Sequence, residues 1–212
     1  MSYRSASVMD DEPTHPERTP DVETVTPSAP VNELESRLLK LRKVMIFGEI
    51  NDKLAKDVTA RLLTLSGDSE APIDVFINSP GGHVESGDTI HDVIRFVGAS
   101  VPVRIIGTGW VASAGAHIFL AGAKDKRFCL PNTRFLLHQP MGGVRGPAVD
   151  IGIEAKEIIK MRERLNWVIS DETGQPLEKV VIDTDRNYWM SAREAVDYGM
   201  VTRIISGPAD LK

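Results

Sequence analysis

The sequence predicts an α/β domain in which much of the sheet is parallel. Short apolar runs of strand length alternate with amphipathic segments of helical periodicity, and glycine-rich stretches follow two of the runs. The 212 residues, 42% of them hydrophobic and 26% charged, suffice for one domain with a core. In such sheets ligands bind where strands pass into loops, so we expect a functional site at the glycine-rich stretches.

Composition narrows the classes of partner. The formal net charge of −5 argues against a protein that neutralises nucleic-acid phosphates. Cys129 is the single cysteine, which excludes an intrachain disulfide, and the first residues lack the pattern of a signal peptide. The most apolar stretch, residues 109–123, is shorter than the about 20 apolar residues of a membrane span. We therefore expect a cytoplasmic protein that binds neither nucleic acid nor membrane.

Residues 1–31 have the composition of a disordered tail. They contain two arginines, six acidic residues and five prolines, and no apolar residue recurs with a helix or strand period. We predict a disordered acidic, proline-rich tail over 1–31 and a folded domain over 32–212, with Asn32 capping the first helix.

Each element of the first half of the domain follows from its apolar pattern. Strand runs are short and rich in Val and Ile, whereas helical segments place apolar residues three and four positions apart. Gly67 is expected to end the second helix. The predicted elements are helices from residue 32, over 52–66 and over 84–97, and strands over 44–47, 73–77 and 101–106.

The second half continues the alternation. Small residues over 112–123 suit a helix packed closely against its neighbours, and Ser191 with Glu194 forms a capping box that opens the last helix. The other predicted elements are strands over 127–130, 134–138 and 201–205, and a long helix over 148–173.

The two glycine-rich stretches could each bind a reacting group. Asn-Ser-Pro-Gly-Gly at residues 78–82 can turn backbone N–H groups outward, although it lacks the spacing of a nucleotide-binding loop. In the second stretch, residues 107–116, Ser113 stands where a strand ends and a helix begins. The free N–H of Ala114 would point to the same side as its hydroxyl, so one turn would hold a nucleophile and an oxyanion donor. The structural alternative is that Ser113 is a helix N-cap.

A nucleophilic serine needs a base, and the chain has five histidines. His138 ends a predicted strand and precedes Gln139-Pro140, from where its ring can face a cleft, so it is the candidate base. Cys129 lies in a short apolar strand and is expected to be buried, and no ligand spacing predicts a metal ion or another cofactor. The remaining histidines lie in the tail, beside the glycine turn or within helices: His15, His83, His91 and His117.

Together these motifs resemble the proteolytic subunit of Clp protease. The resemblance runs from about residue 36 to residue 205 and implies the ClpP/crotonase-like fold and a serine endopeptidase that acts on unfolded proteins or peptides. It rests on several motifs in one order: Asn-Ser-Pro-Gly-Gly at 78–82, Ala-Ser-Ala-Gly-Ala at 112–116, Arg-Phe-Cys-Leu-Pro-Asn at 127–132, His-Gln-Pro at 138–140 and Gly-Gly at 142–143.

The resemblance also implies a role for individual residues. Ser113 matches the family's nucleophile and His138 its general base, and the backbone N–H groups of Gly82 and Ala114 match the oxyanion hole. Family members form seven-membered rings, usually two stacked, that receive unfolded chains from ring-shaped Clp AAA+ ATPases. The segments that bind the substrate as an added strand correspond here to Val84, Met141 and Gly143.

One departure from the family concerns the third triad residue. Where the family has an aspartate, the sequence Asp-Arg-Asn-Tyr-Trp at 185–189 places Asn187. An amide oxygen can hold the histidine tautomer but brings no negative charge to stabilise an imidazolium. We expect a slow Ser-His-Asn peptidase. The alternative is a catalytically weak structural or regulatory subunit that assembles with an active paralogue.

Other departures concern partners. Asp74 and Phe76 stand where the family presents aromatic residues to an ATPase, and His91 replaces a further aromatic. An unpaired carboxylate in an apolar pocket costs free energy, which argues against ATPase docking on a ring of this chain alone. Pro147 replaces a glutamine that often joins the two rings, so the number of rings stays open.

A third alternative is a CoA-thioester enzyme on the related crotonase fold, which would need neither Ser113 nor His138.

Overall fold

The computed structural model describes residues 33–211, so the predicted tail and Asn32 lie outside the described residues. Within that range, no helix combines the length and apolar character needed to cross a bilayer. The helices are α1 (Glu33–Lys40), α2 (Asp52–Asp68), α3 (Val84–Gly98), α4 (Ala114–Phe119), α5 (Ala148–Thr173), α6 (Leu177–Asp183) and α7 (Ala192–Asp197). The strands are β1 (Lys43–Phe47), β2 (Ile73–Ser79), β3 (Val103–Ala112), β4 (Arg127–Cys129), β5 (Arg134–Leu137), β6 (Tyr188–Ser191) and β7 (Arg203–Ile204).

The strands form one seven-stranded, mostly parallel sheet, as the sequence predicts. Its main path is β1-β2-β3-β4-β7, and every pair along it is parallel. The long strand β3 pairs with β4 through Ile105–Gly107 and then with β5 through Trp110–Ala112. The sheet therefore divides along β3, and the end of β3 leads directly into Ser113.

The main core lies where the strands pack against α2, α3 and α4. Ile73, Val75 and Ile77 share one face of β2 and are buried, whereas Phe76 and Asn78 on the other face are half-buried. A smaller apolar cluster covers the opposite face of β3 and contains Ile106, Phe128 and Ile205, with Phe76 packed against it.

Several boundaries differ from the predicted ones, including the start of β3 and the ends of α4 and β7, and two differences lie in α2 and beside Ser113. Gly67 lies inside α2, which continues to Asp68, while Asn51 caps the start of this helix through its side chain. The second glycine-rich stretch is an extension of β3 and not a turn, so α4 begins only at Ala114. Helical propensity alone could not show that pairing with β5 keeps residues 107–112 extended.

The elements α6 and β6 were not among those predicted from the sequence. Both are short, and β6 forms only because it pairs antiparallel with β5, a contact between distant parts of the chain. Its register places Leu137 opposite Tyr188. The next residue of each strand is therefore His138 on one side and Asn187 on the other. The capping box at Ser191 and the bounds of α5 agree with the predictions.

Candidate active site

Ser113 occupies a strained turn between β3 and α4. Its φ of +55° and ψ of −122° are rare for a residue with a side chain, and such strain at a strand-to-helix turn is a known way to present a nucleophile. The backbone holds this conformation, because Ser113 N donates to Leu136 O at 3.0 Å and Ser113 O accepts from His117 N at 3.1 Å. Ser113 occupies the N-cap position of α4, as the structural alternative has it, but its hydroxyl makes no capping hydrogen bond.

The Gly81-Gly82 turn lies directly against this serine. A Cβ on Gly81 would come within 2.6 Å of Ser113 Cβ, and Gly82, with φ of +148°, has no room for one beside Ile50 O. Ile50 pins the turn, since its N–H donates to Gly81 O and its carbonyl accepts from His83 N, both at 2.9 Å. Only glycine fits this close approach.

Two backbone N–H groups beside Ser113 are free to bind an oxyanion. In the described part of the chain, neither Gly82 N nor Ala114 N donates a hydrogen bond. Gly82 is exposed, and Ala114 begins α4, where the first N–H groups of a helix have no intrahelical acceptor. Free donors at such positions can stabilise the negative charge of a tetrahedral intermediate.

His138 follows β5 and links two depressions of the surface. The first is a narrow cavity of about 40 Å³ that His138 shares with Ser113 and Ala114. The second depression has a volume of about 470 Å³, and His138 shares it with Met141 and Asn187. Burial lowers the pKa of His138 below its ordinary value of 6.5, which favours the neutral imidazole that a general base requires.

Asn187 is brought beside His138 but is not bonded to it. Gln139 ties the two segments together, because its N–H donates to Thr184 O at 2.6 Å and its side chain donates to Asp185 O at 2.7 Å. Among residues 33–211, no hydrogen bond joins Ser113 to His138 or His138 to Asn187. The single chain therefore brings Ser113 and Asn187 to the two depressions on either side of His138 without joining the three side chains by hydrogen bonds.

Two carboxylates near Asn187 are bound to other residues. Asp183 is occupied by Lys179 Nζ at 2.6 Å and by the Tyr198 hydroxyl at 2.9 Å. Asp185 faces Arg162 Nη2 at 3.2 Å. Asn187 is thus the side chain that the strand register places next to His138.

The predicted substrate segments flank the histidine on both sides. Val84, at the start of α3, lines the narrow cavity with Ser113, whereas Met141 is 79% exposed at the second depression. Gly143 is also exposed, and a Cβ there would contact nothing. Residues 138–147 form no regular structure, so their backbone is available to pair with an extended peptide.

The predicted docking surface is altered in two ways. Asp74 is buried but paired with Lys43 Nζ at 3.1 Å and Arg104 Nε at 2.6 Å, so the cost of burying this carboxylate is offset. His91 does not lie with Phe76. It is buried in α3, where its ring stacks on that of His117 at 4.3 Å between centroids, so its expected place on the docking surface is wrong.

Sequence reasoning missed part of the wall around Ser113. The narrow cavity is also lined by His117, Leu165, Asn166 and Ile169. His117 could have been found from its position four residues after Ser113, since residues at this spacing share a helix face. The α5 residues carry no such local signal. Cys129, by contrast, is fully buried as predicted, and burial raises the pKa of its thiol to about 12.

Comparisons with known proteins agree with this architecture. The profile of the Clp protease family matches residues 28–208. The chain is 66% identical over 205 residues to ATP-dependent Clp protease proteolytic subunit 2 of Gluconobacter oxydans, covering 96% of this chain and 92% of that protein. It is 56% identical over 179 residues to ATP-dependent Clp protease proteolytic subunit 3 of Rhizobium etli, and the match covers 84% of this chain and 91% of that protein. A solved Asn-to-Asp mutant of ClpP1 from Listeria monocytogenes superposes with a TM-score of 0.78 at 53% identity, covering 84% of this chain and 99% of that one.

These matches span nearly the whole described chain and include its glycine turn, its central strand and its long helix. They favour a peptidase over the CoA-thioester alternative, because the similar proteins are named as protease subunits. The chain belongs to the Clp protease family and is a Clp-type serine peptidase subunit with the ClpP/crotonase-like α/β fold.

Proposed function

We propose that this subunit hydrolyses peptide bonds of unfolded proteins slowly, with Ser113 as nucleophile, His138 as general base and Asn187 in place of the triad acid. The observation that supports the proposal most is the strained Ser113 beside two free backbone N–H groups, in one cavity with His138. A strained turn and unsatisfied donors both lower stability, so their coincidence favours a catalytic purpose.

The proposed reaction proceeds in two steps. Ser113 Oγ attacks the scissile carbonyl while His138 takes the hydroxyl proton, and the N–H groups of Gly82 and Ala114 receive the developing oxyanion. His138 then gives the proton to the leaving amine, and an acyl ester remains on Ser113. Water, deprotonated by His138, hydrolyses the ester and regenerates the serine.

The neutral Asn187 makes this cycle slow. When His138 takes the proton it becomes a cation, and an amide supplies no charge to stabilise it. The exposed position of Asn187 also admits water, which weakens any hydrogen bond that orients the imidazole.

We further propose that the subunit acts within rings. No residue of α5 before Asn166 is buried, and this segment exposes large apolar side chains, which is typical of a surface that another chain covers. Phe96 on α3 is 73% exposed as well. The proposed partners are further copies of this chain, a paralogous proteolytic subunit and a Clp-type AAA+ ATPase.

A second candidate function is a regulatory subunit that assembles with an active paralogue. The open relay between Ser113, His138 and Asn187 favours it, since a chain in this state would contribute structure rather than turnover. The two functions differ in whether Ser113 reacts.

Labelling with a serine-directed fluorophosphonate tests the proposal. We expect the full-length protein to gain one adduct by intact-mass measurement, because the strained turn and free N–H groups activate Ser113, and Ser113→Ala to gain none. Ser66→Ala, on the exposed end of α2, is the matched control and should label as the wild type does. An unlabelled wild type, or an adduct that persists in Ser113→Ala, contradicts the proposal.

The pH dependence of activity measures the protonation of His138. The base must be neutral, so kcat/KM should fall as the pH decreases through the pKa of His138, and burial places this acid limb below the ordinary histidine value of 6.5. Asn187→Asp adds a negative charge that favours the imidazolium, so its acid limb should lie at higher pH. Profiles of kcat/KM for both proteins check the prediction, and an unchanged limb would contradict the placement of Asn187 beside His138.

A further inference from the structure

The Gly81-Gly82 turn carries one of the two proposed oxyanion donors, and its own dihedral preferences do not fix its conformation. Both glycines have positive φ, +100° for Gly81 and +148° for Gly82. Glycine adopts such angles about as readily as negative ones, so the backbone of this turn has several conformations of similar energy. Contacts from outside the turn must therefore determine the direction of the Gly82 N–H.

The segment over residues 48–50 supplies the backbone part of these contacts. It runs beside the turn and is joined to it by hydrogen bonds of 2.9 Å: Gly48 N to Asn78 O, Ile50 N to Gly81 O and His83 N to Ile50 O. In a trans peptide, the Gly81 carbonyl and the Gly82 N–H point in opposite directions. The bond from Ile50 N to Gly81 O therefore directs the Gly82 N–H away from this segment.

The side chain of Ser79 joins the same segment to the turn. Its hydroxyl donates to Gly48 O at 2.6 Å and accepts from Gly81 N at 3.0 Å. A serine hydroxyl has a single proton, so donation to Gly48 leaves a lone pair for the Gly81 N–H. Ser79 is 0% exposed, so water has no access to its hydroxyl.

The Gly81 N–H depends on this hydroxyl. Gly81 is buried, and among residues 33–211 Ser79 Oγ is the only acceptor of its N–H. Without the hydroxyl this donor would be buried and unpaired, which costs free energy that a rotation of the glycine peptides relieves. The rotation would turn the Gly82 N–H as well, because only the φ and ψ angles of Gly81 separate the two peptide groups.

Ser79 also packs against the helix that follows the nucleophile. A Cβ on Gly115, in the first turn of α4, would come within 3.2 Å of Ser79 Cβ. Gly81 in turn lies against Ser113, as described above. A residue at position 79 therefore has to be small, and serine combines this small size with the hydroxyl that the turn requires.

We propose that Ser79 is a positioning residue of the oxyanion hole: its hydroxyl fixes the Gly81 peptide, so that the Gly82 N–H is oriented to bind the negative charge that develops on the scissile carbonyl. Ser79 is buried and acts only through Gly82. The inference rests on the proposed function, because it requires attack by Ser113.

Steady-state hydrolysis of a fluorogenic peptide by full-length Ser79→Ala tests the inference. Complete loss of one oxyanion donor lowers turnover by about 10²–10³, and a misdirected donor costs less, so kcat should fall by about 10- to 100-fold. KM should change by less than about twofold, because these donors bind the transition state more strongly than the substrate. The rate at which the fluorophosphonate labels Ser113 should fall as well, since its phosphoryl oxygen needs the same N–H donors.

Thr133→Val is the matched control for the loss of a buried hydroxyl. Thr133 is 1% exposed, its hydroxyl donates to Gly107 O at 3.0 Å, and it lines neither depression beside His138. This variant should lose stability to urea and keep the wild-type kcat. Ser79→Cys retains an atom at the hydroxyl position that forms weaker hydrogen bonds, so its kcat should be intermediate. It replaces Ser79→Ala in the test should alanine prevent folding.

The outcomes separate the inference from the function on which it rests. If the wild type shows neither hydrolysis nor labelling that depends on Ser113, the proposed function is overturned and the inference with it. If hydrolysis depends on Ser113 but Ser79→Ala keeps kcat within about twofold of the wild type, or changes KM alone, only the inference is overturned. Equal losses of kcat in Ser79→Ala and Thr133→Val also overturn it, because they would reflect stability alone.

Discussion

Asn187→Asp is expected to raise the turnover number for a fluorogenic peptide by between about tenfold and 10⁴-fold. In a well-studied serine protease, the opposite change of the triad aspartate to asparagine lowers turnover by about 10⁴, or about 5.4 kcal/mol of barrier. The β5–β6 register puts residue 187 beside His138, so a carboxylate there would stabilise the imidazolium that forms during attack. Because residue 187 is exposed, solvent screens part of this effect, which sets the lower end of the range.

Steady-state kinetics of the wild type, Asn187→Asp and Asn187→Ala test whether residue 187 acts as part of the triad. A triad role predicts that Asn187→Asp changes kcat more than KM, since the new charge acts only when His138 is protonated. Asn187→Ala is the matched control, and it should be no faster than the wild type because it adds no charge. If Asn187→Asp is no faster than the wild type although Ser113 accepts the fluorophosphonate, Asn187 does not occupy the acid's position, and the regulatory function becomes the better description.

Glu172→Ala is expected to lower the free energy of unfolding by about 3–5 kcal/mol, the range found when one partner of a buried ion pair is removed. Glu172 and Arg127 are both buried, at 7% and 1% exposed, and Glu172 binds the Arg127 guanidinium through its carboxylate and through its backbone carbonyl at 2.9 Å. The variant would leave the Arg127 charge buried with carbonyl partners alone, including Gly122 O at 2.8 Å.

Urea denaturation at a fixed protein concentration measures this effect. Glu157→Ala on the same helix is the matched control, because Glu157 forms an exposed pair with Lys160 at 2.7 Å, and such pairs contribute about 0–1 kcal/mol. A loss for Glu172→Ala no larger than that for Glu157→Ala would show that Arg127 is stabilised without its carboxylate partner.

The sequence predicted the elements whose patterns are local. The long helix α5 and the capping box at Ser191 agree with the structure because periodicity and capping depend on neighbouring residues. The extension of β3 to Ala112 and the existence of β6 did not follow from the sequence, since each depends on pairing with β5. Tertiary pairing of this kind overrides local propensity.

The residues of the candidate site also divide into those that a local motif indicates and those that only tertiary packing brings to the site. Ser113, Gly82 and Ala114 lie in two glycine-rich motifs that the sequence displays, and the structure packs Gly81, the neighbour of Gly82, against Ser113. Asn166 comes from the middle of a helix and reaches the site only through packing, so no motif could indicate it. His91 was misplaced because a position matched by family resemblance does not show what its side chain contacts when the residue type changes. The roles of Ser113, His138 and Asn187 stay predictions until Ser113 is labelled.

The contact between Gly81 and Ser113 restricts how this chain can vary over evolution. An alanine at 81 would collide with the serine's own Cβ, and an alanine at 82 would collide with the Ile50 carbonyl. Neither residue can gain a methyl group unless a second segment moves with it. Sequences that lose the catalytic reaction can therefore still be forced to retain both glycines, and an intact glycine pair in a homologue is weak proof that the homologue is an active enzyme.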